Sequence, residues 1–155
     1  MSLDSAELEI HGDISPFEKE SLYSILSKTL TLSMFEPLPL DPKEQYATLI
    51  QLAFTNILEP NFFGAIGNQT WESLVGIMKN IRQRRRSHGA AFEMKFGKDK
   101  NITTLTCKVK SENAFEYSLD SIKSMASVSS SIKRTVFKEI KYAFDEESMS
   151  WLIEK

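Results

Sequence analysis

Between Ile81 and Phe92 the spacing of the apolar residues changes, and that change restricts the chain to a mixture of helix and strand. Before it, Trp71, Leu74, Val75, Met78 and Ile81 recur at three- and four-residue steps, which sets them on one stripe of a helix. After it, Phe92, Met94 and Phe96 alternate with Ala91, Glu93 and Lys95, the period of a strand with one face in a core. Arg82-Gln83-Arg84-Arg85-Arg86 closes the helix and His88-Gly89 breaks it. The polar run 97–101 reads as a hairpin loop, and Leu105, Cys107 and Val109 then resume the alternation against Thr104, Thr106, Lys108 and Lys110. Ser111-Glu112-Asn113 reads as a second turn leading to a third strand with Phe115, Tyr117 and Leu119. The expectation is a three-stranded antiparallel β-meander with one core face and one wet face rich in lysine and threonine.

Helix signals precede this unit. Ser15-Pro16-Phe17-Glu18 has the grammar of a capping box with proline at the first helical position, and Leu22, Ile25 and Leu26 follow at helical spacing up to about Leu30. Thr31 to Leu40 holds Pro37 and Pro39 and reads as extended chain or loop. Asp41-Pro42-Lys43-Glu44 repeats the capping pattern, so a second helix is expected to carry Tyr46, Leu49, Ile50, Leu52, Ala53, Ile57 and Leu58 to Pro60. The third helix starts near Asn68 or Thr70. At the amino end, Leu8 and Ile10 oppose Glu7 and Glu9, as in a short strand added at a sheet edge.

The carboxy-terminal third spaces Ile122, Met125, Ile132, Val136, Ile140 and Ala143 helically, with Phe137 and Phe144 alongside, behind Asp120 as a cap. This predicts a long C-terminal helix packed on one sheet face, with the serine-rich run 127–131 as its weak point, because serine competes for backbone hydrogen bonds. Asp145 is placed to cap a last turn with Met149, Leu152 and Ile153. The fold class expected is α+β, with residues 1–155 forming a single domain without internal repeat or linker.

Aromatic residues are numerous, ten Phe, four Tyr and two Trp, and each buries enough area to argue against disorder. Cys107 is the only cysteine, so an intramolecular disulfide is excluded. The acidic amino terminus has no apolar signal core, and no apolar run has the roughly 18 residues of a membrane span. The chain is therefore read as cytoplasmic, with no membrane partner.

Charge is unevenly placed. Residues 1–78 carry three Lys and eleven Asp/Glu, a balance of −8; residues 79–110 carry ten Lys/Arg against Glu93 and Asp99, a balance of +8; the remainder carries −2. The basic block is the largest compositional signal. Arg82, Arg84, Arg85 and Arg86 at the helix end, with Lys95, Lys98, Lys100, Lys108 and Lys110 on the hairpin, are the candidate anion- or partner-binding residues. Such a set can track phosphates. It is equally explained by cations complementing a helix C-terminus and by lysines solubilising a strand face, or by docking of an acidic protein partner.

Catalytic groups are sparse. His11 and His88 have no sequence partner at metal-ligand spacing and read as exposed turn residues, so no metal is expected. Cys107 shares a face with Leu105 and Val109 and reads as a small buried apolar residue, since a nucleophilic thiol needs exposure and a cationic neighbour. Neither a dinucleotide nor a phosphate-loop glycine pattern occurs, and no cofactor is expected. The sequence thus points away from an enzyme, toward an interaction or regulatory module working through a protein partner or a second copy of itself. The long C-terminal helix, with Ile132, Val136, Phe137, Ile140 and Phe144, is the expected homodimer surface. The alternative is a nucleic-acid-binding domain using residues 79–110.

Overall fold

The computed structural model describes residues 4–85, 89–98, 101–131 and 139–154. In chain order the elements are β1 (Ser5–Gly12), α1 (Pro16–Ser27), β2 (Thr31–Met34), β3 (Thr48–Phe54), α2 (Phe62–Ile66), α3 (Asn68–Gln83), β4 (Ala90–Phe96), β5 (Ile102–Cys107), α4 (Glu112–Asp120), α5 (Ile122–Ser131), β6 (Glu139–Asp145) and β7 (Ser150–Ile153). The strands form one seven-stranded sheet in the order β2-β1-β3-β4-β5-β6-β7. The pairs β1/β2, β3/β4 and β5/β6 are parallel and the other three antiparallel. Parallel neighbours need a crossover; α1, then α2 with α3, then α4 with α5, supply the three.

The expected three-stranded meander with one long C-terminal helix is therefore incorrect. The α+β character holds, but the sheet is mixed, has seven strands, and takes in both ends of the chain. Residues 41–58 do not form a helix. Asp41-Pro42-Lys43-Glu44 makes a turn, in which Lys43 N donates to Asp41 Oδ1 at 2.9 Å and Glu44 N to Asp41 O at 3.0 Å. The apolar residues that follow belong to β3, where Thr48, Ile50, Leu52 and Phe54 are buried and Leu49, Gln51 and Ala53 are half-buried. β3 lies between β1 and β4, paired on both sides. An interior strand apolar on both faces gives the same dense run as a buried helix.

The proposed third strand is α4. Ser111 Oγ accepts from Ala114 N at 3.0 Å as its N-cap, and Phe115 and Leu119, four apart, are buried while Tyr117 is exposed. The long helix is replaced by α5, which includes the serine run, and by the β6/β7 hairpin. Ile140, Ala143 and Phe144 lie on β6; Ile132, Val136 and Phe137 fall outside the described residues. A homodimer surface along one C-terminal helix accordingly has no basis. β1 is an interior strand, between β2 and β3, and not an added edge.

Register aligns the core. Leu8, Leu52, Met94, Leu105 and Tyr142 are lateral neighbours across five strands and all are buried. They join Leu22 and Leu26 of α1, Trp71, Leu74, Met78 and Ile81 of α3, and Phe115 and Leu119 of α4 in one continuous core. Phe62 meets Phe54, Phe63, Trp71 and Phe96 edge-on, with ring centroids 5.0–5.9 Å apart. Burying each such side chain contributes about 1.5–3 kcal/mol. α1 starts where the sequence places it: Glu18 N donates to Ser15 Oγ at 3.1 Å and Ser15 N to Glu18 Oε1 at 3.0 Å.

The opposite face carries Glu7, Glu9, Gln51, Glu93, Lys95, Thr106 and Lys141, so its charge is mixed and not simply lysine and threonine. Because β4 runs antiparallel to β5, the start of β4, the end of β5 and the end of α3 meet at one end of the sheet. That end holds a cleft lined by Arg82, Gly89, Lys108 and Lys110.

Candidate anion-binding cleft

The two arginines that the helix end buries have different surroundings. Arg85, 8% exposed, is fully engaged. Its Nε donates to Thr48 Oγ1 at 2.7 Å, Nη1 to Glu18 Oε2 at 2.9 Å and Ile81 O at 2.8 Å, and Nη2 to Glu18 Oε1 at 2.7 Å and Asp13 O at 3.0 Å. Every N–H of the guanidinium has an acceptor. Thr48 Oγ1 passes its own proton on to Asp13 O. Burial pushes the Glu18 carboxyl up, but the Arg85 hydrogen bonds, the Ser15 amide and the Arg85 charge outweigh it, and the net shift is downward. Arg85 fastens α1, β3 and α3 together and has no donor left for a ligand.

Arg82 is 3% exposed and, among the described residues, has no carboxylate partner. Its Nη2 donates to Lys110 O at 2.9 Å and its Nη1 to Arg85 O at 3.4 Å, while Nε has no acceptor among the described residues. A buried charge is costly unless paired. Arg82 lines a cleft of about 250 Å³ with Gln45, Tyr46, Gly89, Lys108, Val109 and Lys110. Gly89, at φ +76°, adopts a conformation that favours glycine, and a Cβ there would lie 3.4 Å from Arg82 Nε.

Two lysines complete the cleft. Lys108 Nζ is 5.8 Å from the Tyr46 ring centroid and 3.7 Å from Glu44 Oε1. Lys110 is exposed, and the connector that carries it is held by Glu146, whose carboxylate accepts from Lys110 N at 3.3 Å and Ser111 N at 2.7 Å. The Tyr46 hydroxyl is shut from solvent and, among the described residues, meets no acceptor at hydrogen-bond geometry. Burial, followed by the Glu44 and Glu93 carboxylates, pushes this phenol up.

The basic block is thus divided. Arg82, Lys108 and Lys110 share the cleft. Arg85 is internal. Arg84 lies 3.6 Å from Glu18 Oε2 and 5.7 Å from the centroid of the exposed Phe17 ring. Lys95 and Lys98 line a separate hollow of about 350 Å³ with Glu7, Ser33 and Thr55, at the other end of the sheet. β4 spans roughly 20 Å between the two ends. Arg86, His88 and Lys100 lie outside the described residues. His11 is half-buried on β1, 3.1 Å from Glu9 Oε1 and 3.0 Å from Gln51 Oε1. Cys107 is fully buried, and its thiol is pushed up to about 11 by burial, against the opposing hydrogen bond from Ser118. No group of three or more His, Cys, Asp or Glu at metal-binding distance occurs among the described residues. No helix among them is long and apolar enough to cross a membrane.

Sequence reasoning missed Gln45 and Tyr46, having placed them on a helix. The clue available was the proline-bearing turn just before them, which suits a loop as well as a helix start.

Comparison with protein families, with curated proteins and with solved structures finds no match.

Proposed function

We propose that this domain is a non-enzymatic interaction module that receives an acidic side chain or chain terminus of a protein partner in the Arg82 cleft. The observation that carries the reading is the buried Arg82 guanidinium, without a counter-charge among the described residues, beside Lys108 and Lys110. A carboxylate entering the cleft supplies the missing charge and accepts from the exposed Lys108 and Lys110 ammonium groups. Desolvated, charge-assisted contacts of this kind are the stronger class of hydrogen bond. Glu44 and Glu146 at the rim limit the excess positive charge, which favours a single carboxylate over a run of phosphates.

The test is fluorescence anisotropy with a labelled Glu-rich peptide, a labelled RNA and a labelled duplex DNA, each at low and at physiological salt. The peptide is expected to bind, and Lys108→Glu with Lys110→Glu to weaken it at least tenfold without lowering the melting temperature. Absence of peptide binding at low salt overturns the reading. Nucleic-acid binding that persists in the charge-reversed protein and is lost on replacing Lys95 and Lys98 moves the function to the other end of the sheet.

A further inference from the structure

The two outer strands of the sheet are protected differently. The outer edge of β2 runs into Phe35 and then Pro37 and Pro39, and proline cannot donate to a further strand. β7 has no such guard. Ser150, Trp151, Leu152 and Ile153 contain no proline, glycine or charge, and Leu152 and Ile153 are 51% and 56% exposed. β7 is also fixed in place: Trp151 is buried, its Nε1 donates to Ser121 Oγ at 2.8 Å, and its ring meets Phe144 and Phe92.

The register states which backbone groups of β7 are unused by β6. Glu154 N donates to Lys141 O at 2.8 Å, so that pair is a hydrogen-bonded one. In an antiparallel ladder such pairs alternate with non-bonded ones. Leu152 opposite Ala143 and Ser150 opposite Asp145 are then bonded, while Ile153 opposite Tyr142 and Trp151 opposite Phe144 are not. The N–H and C=O of Trp151 and Ile153 point away from the sheet. Two outward-facing residues on either side of one inward-facing residue form a self-complementary edge.

We infer that β7 pairs antiparallel with β7 of a second copy of this chain, about a two-fold axis at Leu152, joining the two sheets into one. Trp151 of each copy then stands opposite Ile153 of the other, and each such pair exchanges both of its N–H···O=C bonds. The exposed Ile153 is covered by the other copy's indole, an aromatic–β-branched cross-strand pair. The two Leu152 side chains meet in a non-bonded pair, where side chains approach most closely. Glu154 falls opposite Ser150, so no like charges face each other. Centring the axis on Trp151 instead sets Ile153 against Met149, which lies in the turn at φ +52° and is not strand. Centring it on Ile153 sets Trp151 against position 155, outside β7 as bounded at Ile153. A four-residue edge buries an area at the small end of specific interfaces, below about 1,200 Å², so the dimer is reversible. This inference is independent of the Arg82 cleft.

Sedimentation velocity from about 5 µM to about 500 µM, a range suited to a weak interface, combined with amide hydrogen exchange at both limits, tests it. The expected result is a concentration-dependent dimer in which the Trp151 and Ile153 amides gain protection as the dimer fills. Ile153→Pro removes an outward N–H that β6 does not use, and Leu152→Lys places two cations on the axis. Both are expected to be folded monomers with the wild-type melting temperature to within a few degrees. A monomer throughout the range, or a dimer that survives both substitutions with the two amides unchanged, overturns the inference.

Discussion

Arg85 Nη2 donates to Glu18 Oε1 at 2.7 Å although the two residues stand 67 positions apart, and both side chains are almost closed to solvent, at 7% and 1% exposure. The second arm, Nη1 to Glu18 Oε2 at 2.9 Å, makes the contact bidentate. A buried pair of this kind is costly to break on one side, since the remaining charge stays desolvated. Glu18→Gln and Arg85→Met are each expected to lower the unfolding free energy by about 3–5 kcal/mol. The double replacement, which leaves no orphan charge, should cost less than the sum. Urea denaturation of the two single variants and the double variant measures this, and strict additivity would contradict a coupled pair.

The same pair gives a pH dependence with a definite sign. The folded Glu18 carboxyl titrates below its ordinary value of 4.5. Between the folded and unfolded values the unfolded chain binds more protons, so stability falls as pH falls through that window. The contribution of Glu18 is therefore full above its ordinary range and is lost progressively below about 4.5. Thermal melts of the wild type and of Glu18→Gln across pH 3–7 should converge at the acid end, because the variant has no carboxylate to protonate there. Curves that stay parallel across the range would assign the acid sensitivity to other groups.

Three parts of this arrangement are legible in the amino-acid sequence alone. The Ser15 capping box, the α3 stripe from Trp71 to Ile81 and the β4/β5 hairpin each rest on local chemistry, and each forms as the spacing requires. β3 was misread because Leu49, Ile50, Leu52 and Ala53 satisfy a helical stripe and an interior strand alike; only the pairing with β1 and β4 on both sides decides between them. α4 was misread for the opposite reason. Phe115, Tyr117 and Leu119 alternate in sequence, but the Ser111 cap and the burial of Phe115 with Leu119 follow the helical period. At the site, the basic composition of residues 79–110 was visible, but its division was not. Burial turns Arg85 toward Glu18 and Arg82 toward the Lys110 carbonyl, and both depend on contacts 28 or more positions away.

Cys107 offers a reading of core integrity. It is fully buried, its Sγ accepts from Ser118 Oγ at 3.3 Å, and burial raises its pKa to about 11. At pH 8 the thiol of the folded protein is protonated as well as enclosed, whereas a free thiol near 8.5 is partly ionised. The native protein should react with Ellman's reagent only through opening of the sheet, at a rate that follows global stability, and promptly and stoichiometrically in denaturant. Rapid labelling of the native protein would show that the core between β5 and α4 opens locally.

Arg82 and Arg85 are both buried, three positions apart on one turn, and replacing each by Met should have opposite consequences. Arg85→Met strands the Glu18 carboxylate and carries the large penalty given above. Arg82→Met strands no described carboxylate; it removes two hydrogen bonds to carbonyls, at about 0.5–1.5 kcal/mol each, and relieves the desolvation of an uncompensated cation. Its net cost is therefore expected at or below about 2 kcal/mol, well under that of Arg85→Met. Binding of an acidic peptide should divide the other way, being lost at least tenfold in Arg82→Met and retained in whatever fraction of Arg85→Met stays folded. Arg82→Lys keeps the charge but not the planar fork that reaches the Lys110 carbonyl, so it should recover part of the affinity. Equal stability losses with unchanged peptide binding in both Met variants would make Arg82 a second structural arginine and leave the cleft without its anion-binding role.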